Sequence, residues 1–319
     1  MLYKSCYRSD LKLSLLGYGT WGLGGDSYGS ISEKKSTYLL SCAFNKGINF
    51  FDTSNIYGAG LSEERVGKAF KNSNLRSKVV IATKFGMLNH RATGWVAPQN
   101  FKIKHLRNSF ENSLKRIKTD YVDILQLHSP SIKLLQDKTK IESILELLDR
   151  LKQEGKVNYF GVSVKSPQHA KLVMRYSLFK FIQLNLNLID QRAMEYKILD
   201  LALKKKVSII SRTPLAFGYL AGSVKLKKID HRRKWSIQQK SLWTKGKKIF
   251  IDNIYRKNIS PLDLSLLFAT HHPSIKSTIP GMMKINEIVE NMRFLKLKKL
   301  SKKELKKINE VYQNNRWIE

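Results

Sequence analysis

Four side chains of this 319-residue sequence could pass a proton to an oxygen if the fold gathered them: Asp52, Tyr57, Lys84 and His128. A tyrosine hydroxyl with a free pKa of about 10 is a poor acid at neutral pH, but a lysine beside it favours the phenolate and lowers that value. Lys84 is the candidate cation. A lysine withdrawn from water needs a carboxylate partner, and Asp52 can supply it. His128 could hydrogen-bond the same oxygen and orient it, so that charge developing there meets fixed donors. These groups offer a proton but no hydride, so reduction of a carbonyl here needs a cofactor. Singly, each residue has a plainer role: Asp52 as a turn cap, Lys84 as a surface lysine, His128 as a satisfied histidine beside a turn. What separates the two readings is where the residues stand relative to one another.

Eight short runs rich in β-branched and aromatic residues alternate with helical patterns: LSLLGYG, INFFD, KVVIATK, YVDILQLH, NYFGVS, FKFIQLN, VSIISR and SIKSTIP. Their nearly continuous apolar character is that of strands buried on both faces, which implies parallel pairing. Eight βα units in one chain of this length predict a closed (β/α)8 barrel, a single domain over residues 1–319, rather than an open sheet. Active sites of such barrels lie at the C-terminal strand ends. The second run ends on Asp52, the third on Lys84, the fourth on His128, the fifth on Ser163, the sixth at Gln183, the seventh on Arg212 and the eighth at Pro280-Gly281. Tyr57 lies in the loop after the second. A barrel with so many polar strand ends has a polar mouth, and the plainer readings lose at consecutive strands.

The helices carry their own marks. Ile144, Leu147, Leu148 and Leu151 recur at helical spacing before a stop at Gly155, and Leu106, Phe110, Leu114 and Ile117 form a second apolar stripe. Ser166-Pro167 reads as a helix start, and Ser301 with Glu304 as a capping box on an extra C-terminal helix. Residues 1–10 read as irregular or as a small hairpin plugging the barrel floor. The stretch from Tyr219 to about Lys247, after the seventh strand, reads as a long loop with room for one helical turn, and long loops in compact domains are usually functional.

Composition narrows the partners. Two cysteines, Cys6 and Cys42, make neither a disulfide framework nor a multi-cysteine metal site, so no metal is expected. Charges interrupt every apolar stretch, which predicts no signal peptide and no membrane-spanning helix, hence a cytoplasmic protein. The formal charge of +33 would suit a polyanion partner. Its cations are scattered over expected helix surfaces and loops without a nucleic-acid motif, so a solvated lysine-rich surface is the preferred reading and no specific nucleic acid is expected.

GYGTWGLGG, FDTSNIYGAGLSEERVGKAF, VVIATKFG, YVDILQLHSP, GKVNYFGVS, TPLAFGYLAG and STIPG followed by ENM resemble the aldo-keto reductases, in order, from about Leu13 to Met292. The resemblance implies a (β/α)8 barrel that binds extended NADP(H), or less often NAD(H), and interconverts a carbonyl and an alcohol. It implies that Asp52, Tyr57, Lys84 and His128 are the catalytic tetrad, with Tyr57 the general acid. By the same resemblance Ser163 and Gln183 hold the nicotinamide carboxamide, Arg212 and Leu215 border the cofactor, and Gly19, Thr20 and Trp21 lie beneath it. Gly281, Lys284, Glu290 and Asn291 fall in the segment that grips its adenosine end. The chain departs from the pattern at Val164, where many members have asparagine, at Leu186, often aromatic, and at Met282-Met283, where a small residue and then arginine or lysine are common. Lys284 stands ready to replace that missing cation. An alternative is a regulatory or sensor subunit on the same fold, as the potassium-channel β subunits of the family show is possible. The substrate is expected to be a small carbonyl compound, with Arg232, Arg233 and Trp235 of the long loop the first residues to shape its pocket; the basic surface would favour an anionic one.

Overall fold

The computed structural model describes residues 1–88, 98–222, 224–254, 259–315 and 317. β1 (Tyr3–Ser5) and β2 (Lys12–Ser14) pair antiparallel as a hairpin. Eight further strands form one parallel sheet in chain order: β3 (Tyr18–Gly19), β4 (Phe50–Asp52), β5 (Val80–Phe85), β6 (Val122–His128), β7 (Val157–Ser163), β8 (Phe179–Asn185), β9 (Ser208–Arg212) and β10 (Ile275–Ile279). Backbone bridges Leu16–Thr278 and Gly19–Gly281 join its first and last strands, which closes the (β/α)8 barrel.

Side-chain alternation along the strands divides the core in two. Phe50, Ala82, Ile124 and Ile210 point into the barrel, where Cys6 and Leu13 of the hairpin meet them and seal the floor. Phe51, Ile81 and Leu125 point outward into the larger core that also holds Leu106, Phe110, Leu147 and Leu151 of the helices Ile103–Ile117 and Lys138–Gln153. Both faces are apolar, which is why the strand runs carry almost no polar alternation. Ser301 and Glu304 form the expected reciprocal cap of the helix Lys302–Gln313.

Two boundaries differ from the expectation. The run LSLLGYG is not one strand: Leu13–Ser14 belong to the hairpin, and the run joins the barrel only from Leu16, through its bridge to Thr278 and then through Tyr18–Gly19. Gly17 lies between them, where a Cβ would meet Phe50 and the Ser277 hydroxyl. The stretch after β9 holds more helix than one turn: a short one at His231–Lys234, then Ile237–Asn253 capped by the Ser236 side chain. Only Gly246 and Phe250 of the long helix are buried, so its sequence carries almost no apolar period to read. Among the described residues, no helix is long and apolar enough to cross a membrane.

Candidate active site

Parallel register brings the polar strand ends to one rim. It sets Lys84 opposite Gln126, His128 opposite Ser163, and Ser163 opposite Gln183. Lys84 is fully buried, and its ammonium donates to Asp52 Oδ2 at 2.6 Å, to the Thr53 carbonyl at 2.8 Å and to the Tyr57 hydroxyl at 3.3 Å. The other Asp52 oxygen accepts from Gln183 Nε2 at 2.7 Å and Gln126 Nε2 at 3.2 Å. The ion pair is therefore a network with both carboxylate oxygens satisfied, the condition under which a buried pair is tolerable. His128 stands edge-on to Tyr57 with ring centroids 6.3 Å apart, and its Nδ1 lies 3.2 Å from Ser54 Oγ. All four candidate residues meet at one place.

Tyr57 owes its position to a backbone contact between two loops. Gly58 has φ of 60°, and a Cβ there would collide with the Gly24 carbonyl of the loop after β3. Only glycine permits both the turn and the approach. The Asp26 carboxylate accepts from the Gly58 N–H at 3.2 Å, and the Trp21 ring lies 6.3 Å from that of Tyr57.

Burial sets the direction of two of the three shifted groups. It pushes the Tyr57 hydroxyl above its ordinary value, and the nearby Lys84 ammonium only partly offsets this. The expectation that lysine brings the tyrosine down is thus corrected: Lys84 does act in that direction, but desolvation and the Asp52 charge outweigh it. Burial alone would lower Lys84, yet Asp52 and Tyr57 together hold it above the usual lysine value. His128 is driven well below its ordinary value by burial and then by the Lys84, Arg212 and Lys165 charges. Its ring is neutral at physiological pH. As pH falls through about 6.5, the unfolded chain gains a proton that folded His128 refuses, so acid removes stability in that window and alkali does not. The ring resonances of His128 should show no titration between about pH 6 and 8; a midpoint at or above the ordinary histidine value would contradict the geometry.

The residues expected around a cofactor fall into three groups. Ser163 Oγ donates to Gln183 Oε1 at 3.2 Å, so these two buried residues form a link to Asp52 rather than free arms. Thr20 is fully buried, its hydroxyl donating to the Asp52 carbonyl and sharing a contact with Ser62, so its side chain braces the rim from behind. Arg212 and Asn291 are different. Among the described residues, Arg212 donates to the Val164 carbonyl at 3.1 Å while its buried Nε finds no partner, and buried Asn291 Oδ1 also lacks one. Arg212 has no carboxylate partner among the described residues. Leu215 is half-buried, Gly281 lies beside Gly19, and Lys284 and Glu290 are exposed. Val164 and Leu186 are both buried in the core.

Across the rim, the loop after β9 packs on the loop after β3. His231 sits 4.6 Å from Trp21 and 4.8 Å from Tyr28, with Phe217 and Trp235 around it. Arg232 is held bidentate by Asp230 and donates to the Phe217 carbonyl, so its charge is already spent inside the loop, whereas Arg233 is exposed. A cavity of about 370 Å³ opens at the ends of β8 and β9, lined by Asn185, Thr213, Phe217, Trp235 and Trp243 among others. Gln126, Thr53 and Ser54 also act here, and the sequence did not single them out: their bonds to Asp52, Lys84 and His128 run between strands rather than along a motif.

Against known proteins, the profile of the Aldo/keto reductase family matches residues 15–313. An uncharacterized oxidoreductase of Bacillus subtilis, YqkF, is 29% identical over 303 residues, 93% of this chain and 92% of its own. A fission yeast relative, the aldo-keto reductase yakc of Schizosaccharomyces pombe, designated by NADP(+), is 29% identical over 312 residues, 94% of this chain and 88% of its own. Among solved structures, the holo form of an aldo-keto reductase from Bacillus halodurans superposes with a TM-score of 0.80 at 25% identity, covering 98% of this chain and 96% of its own. With the barrel and its polar rim in place, this chain belongs to the aldo/keto reductase family, NAD(P)H-dependent oxidoreductases that interconvert carbonyl compounds and alcohols.

Proposed function

We propose that Tyr57 is the proton donor of this carbonyl reduction and that Asp52, Lys84 and His128 serve it. The observation that carries the reading is the unbroken chain Gln183–Asp52–Lys84–Tyr57 at the barrel mouth. A protonated Tyr57 gives its proton to the carbonyl oxygen, and the Lys84 ammonium stabilises the phenolate left behind. Asp52 fixes Lys84 in place. His128 donates to the same oxygen if its neutral ring carries the proton on Nε2, the tautomer favoured when Ser54 donates to Nδ1.

The nicotinamide dinucleotide supplies the hydride when bound. Two buried, unpartnered polar atoms, Arg212 Nε and Asn291 Oδ1, lie on residues the family resemblance assigns to that cofactor, so the site fits it. Ser163 and Gln183 would exchange part of their mutual bonding for the carboxamide. Gly19, Trp21, Leu215, Gly281, Lys284 and Glu290 would line the remainder, and Thr20 would support it from behind. A complete proton-transfer network favours turnover over a purely regulatory role. The two free cysteines suit a cytoplasmic setting.

Fluorescence titration with NADPH and NADH, then an aldehyde and ketone panel followed at the cofactor's absorbance, tests the function. Saturable binding and cofactor consumption are expected. Salt-dependent retention on DNA with no dinucleotide binding would overturn it in favour of a polyanion-binding protein. Arg212 has no carboxylate partner among the described residues and the chain carries a formal charge of +33, so anionic carbonyl substrates should be favoured. Their kcat/KM should fall as salt rises while that of matched neutral aldehydes holds; equal dependence would reduce the charge to a solubility feature.

A further inference from the structure

The helix Ile285–Met292, which on the functional reading above faces the adenosine end of the cofactor, carries the wrong charge for a phosphate. Residues 281–292 hold one cation, Lys284, against two carboxylates, Glu287 and Glu290, in a chain whose formal charge is +33. Glu287 is not loose on the surface: its Oε2 accepts from the N–H of Met283, which precedes the helix, at 2.6 Å. Glu287 thus holds its carboxylate in the first turn of the helix, the end where backbone donors would otherwise greet an anion. Met283 presents a thioether that lies against Gly22, where a Cβ would come within 2.5 Å of its sulfur. Lys284 is exposed, and Arg293 is drawn 3.4 Å from buried Asp263. A carboxylate accepts hydrogen bonds from a ribose diol, whereas a 2′-phosphate calls for an arginine or lysine.

We propose that Glu287 sets the cofactor choice of this chain, by opposing the 2′-phosphate, so that NADH is bound at least as tightly as NADPH. The proposal rests on the dinucleotide reading of the site and refines it. Buried Asn291, one turn after Glu287, supplies the unpartnered acceptor expected where a ligand donor docks.

Dissociation constants of NADH and NADPH, measured by fluorescence titration on the wild type, Glu287→Gln and Met283→Arg, test it without turnover. The wild type should show no advantage for NADPH. Glu287→Gln should tighten NADPH by about tenfold, the effect of removing one like charge at close range, and leave NADH within about twofold. Met283→Arg, which leaves the Glu287 contact to the backbone N–H, should move the ratio the same way. A wild type that binds NADPH more than about tenfold tighter, or a Glu287→Gln ratio equal to the wild type's, would overturn the proposal. Failure of folded wild type to bind either dinucleotide would overturn the functional reading as well, a result distinguishable from these.

Discussion

Tyr57→Phe should lower carbonyl turnover by about a hundredfold or more, the usual scale of general acid catalysis, while the fold and cofactor affinity survive. Only one oxygen is removed. The ring keeps its contacts with Trp21 and His128, and Gly58 keeps the turn that places it. Lys84 loses one of three acceptors but retains Asp52 and the Thr53 carbonyl, so its charge stays compensated. Because burial holds the tyrosine above its ordinary value, the wild type should keep its donor protonated across neutral pH and lose reduction activity only on the alkaline side. Steady-state kinetics with circular dichroism and cofactor titration on the same samples checks the expectation.

Lys84→Met should damage stability and chemistry together. The lysine is fully buried, and its removal leaves Asp52 in the barrel without its cation. Breaking a buried pair costs about 3–5 kcal/mol, and the bonds from Gln126 and Gln183 place this case toward the lower end. Turnover should fall by roughly ten- to hundredfold, because a charge-assisted hydrogen bond of about 1.5–3 kcal/mol to the developing phenolate is lost. Urea unfolding monitored by circular dichroism reads the first effect and kcat the second. A variant as stable as the wild type would contradict a buried Asp52–Lys84 ion pair.

Strands buried on both faces were legible because their runs are rich in β-branched and aromatic side chains, and the polar residues at their C-terminal ends, Lys84, His128, Ser163 and Gln183, marked the mouth. The helix Ile237–Asn253 was not, since a helix that buries two residues leaves no period to detect. Motif position also hid side-chain direction. Thr20 belongs to a recognisable segment yet turns its hydroxyl inward, and Arg232, expected to shape the substrate pocket, is consumed by Asp230 two residues earlier. The Tyr57 shift went the other way for an energetic reason: proximity of a lysine is readable from strand order, whereas the depth of burial that outweighs it depends on how loops close over the ring. Glu287 escaped notice because its meaning depends on a backbone N–H four residues upstream.

Single-turnover reduction of one aldehyde by cofactor-loaded wild type, Tyr57→Phe, Lys84→Met and the double variant tests the proton-donor role of Tyr57 most directly. If Lys84 acts only by serving Tyr57, the double variant should be about as slow as Tyr57→Phe alone, since groups acting as a unit do not lose their effects additively. Losses that multiply, or a folded, cofactor-binding Tyr57→Phe that reduces the aldehyde at near the wild-type rate, would contradict it.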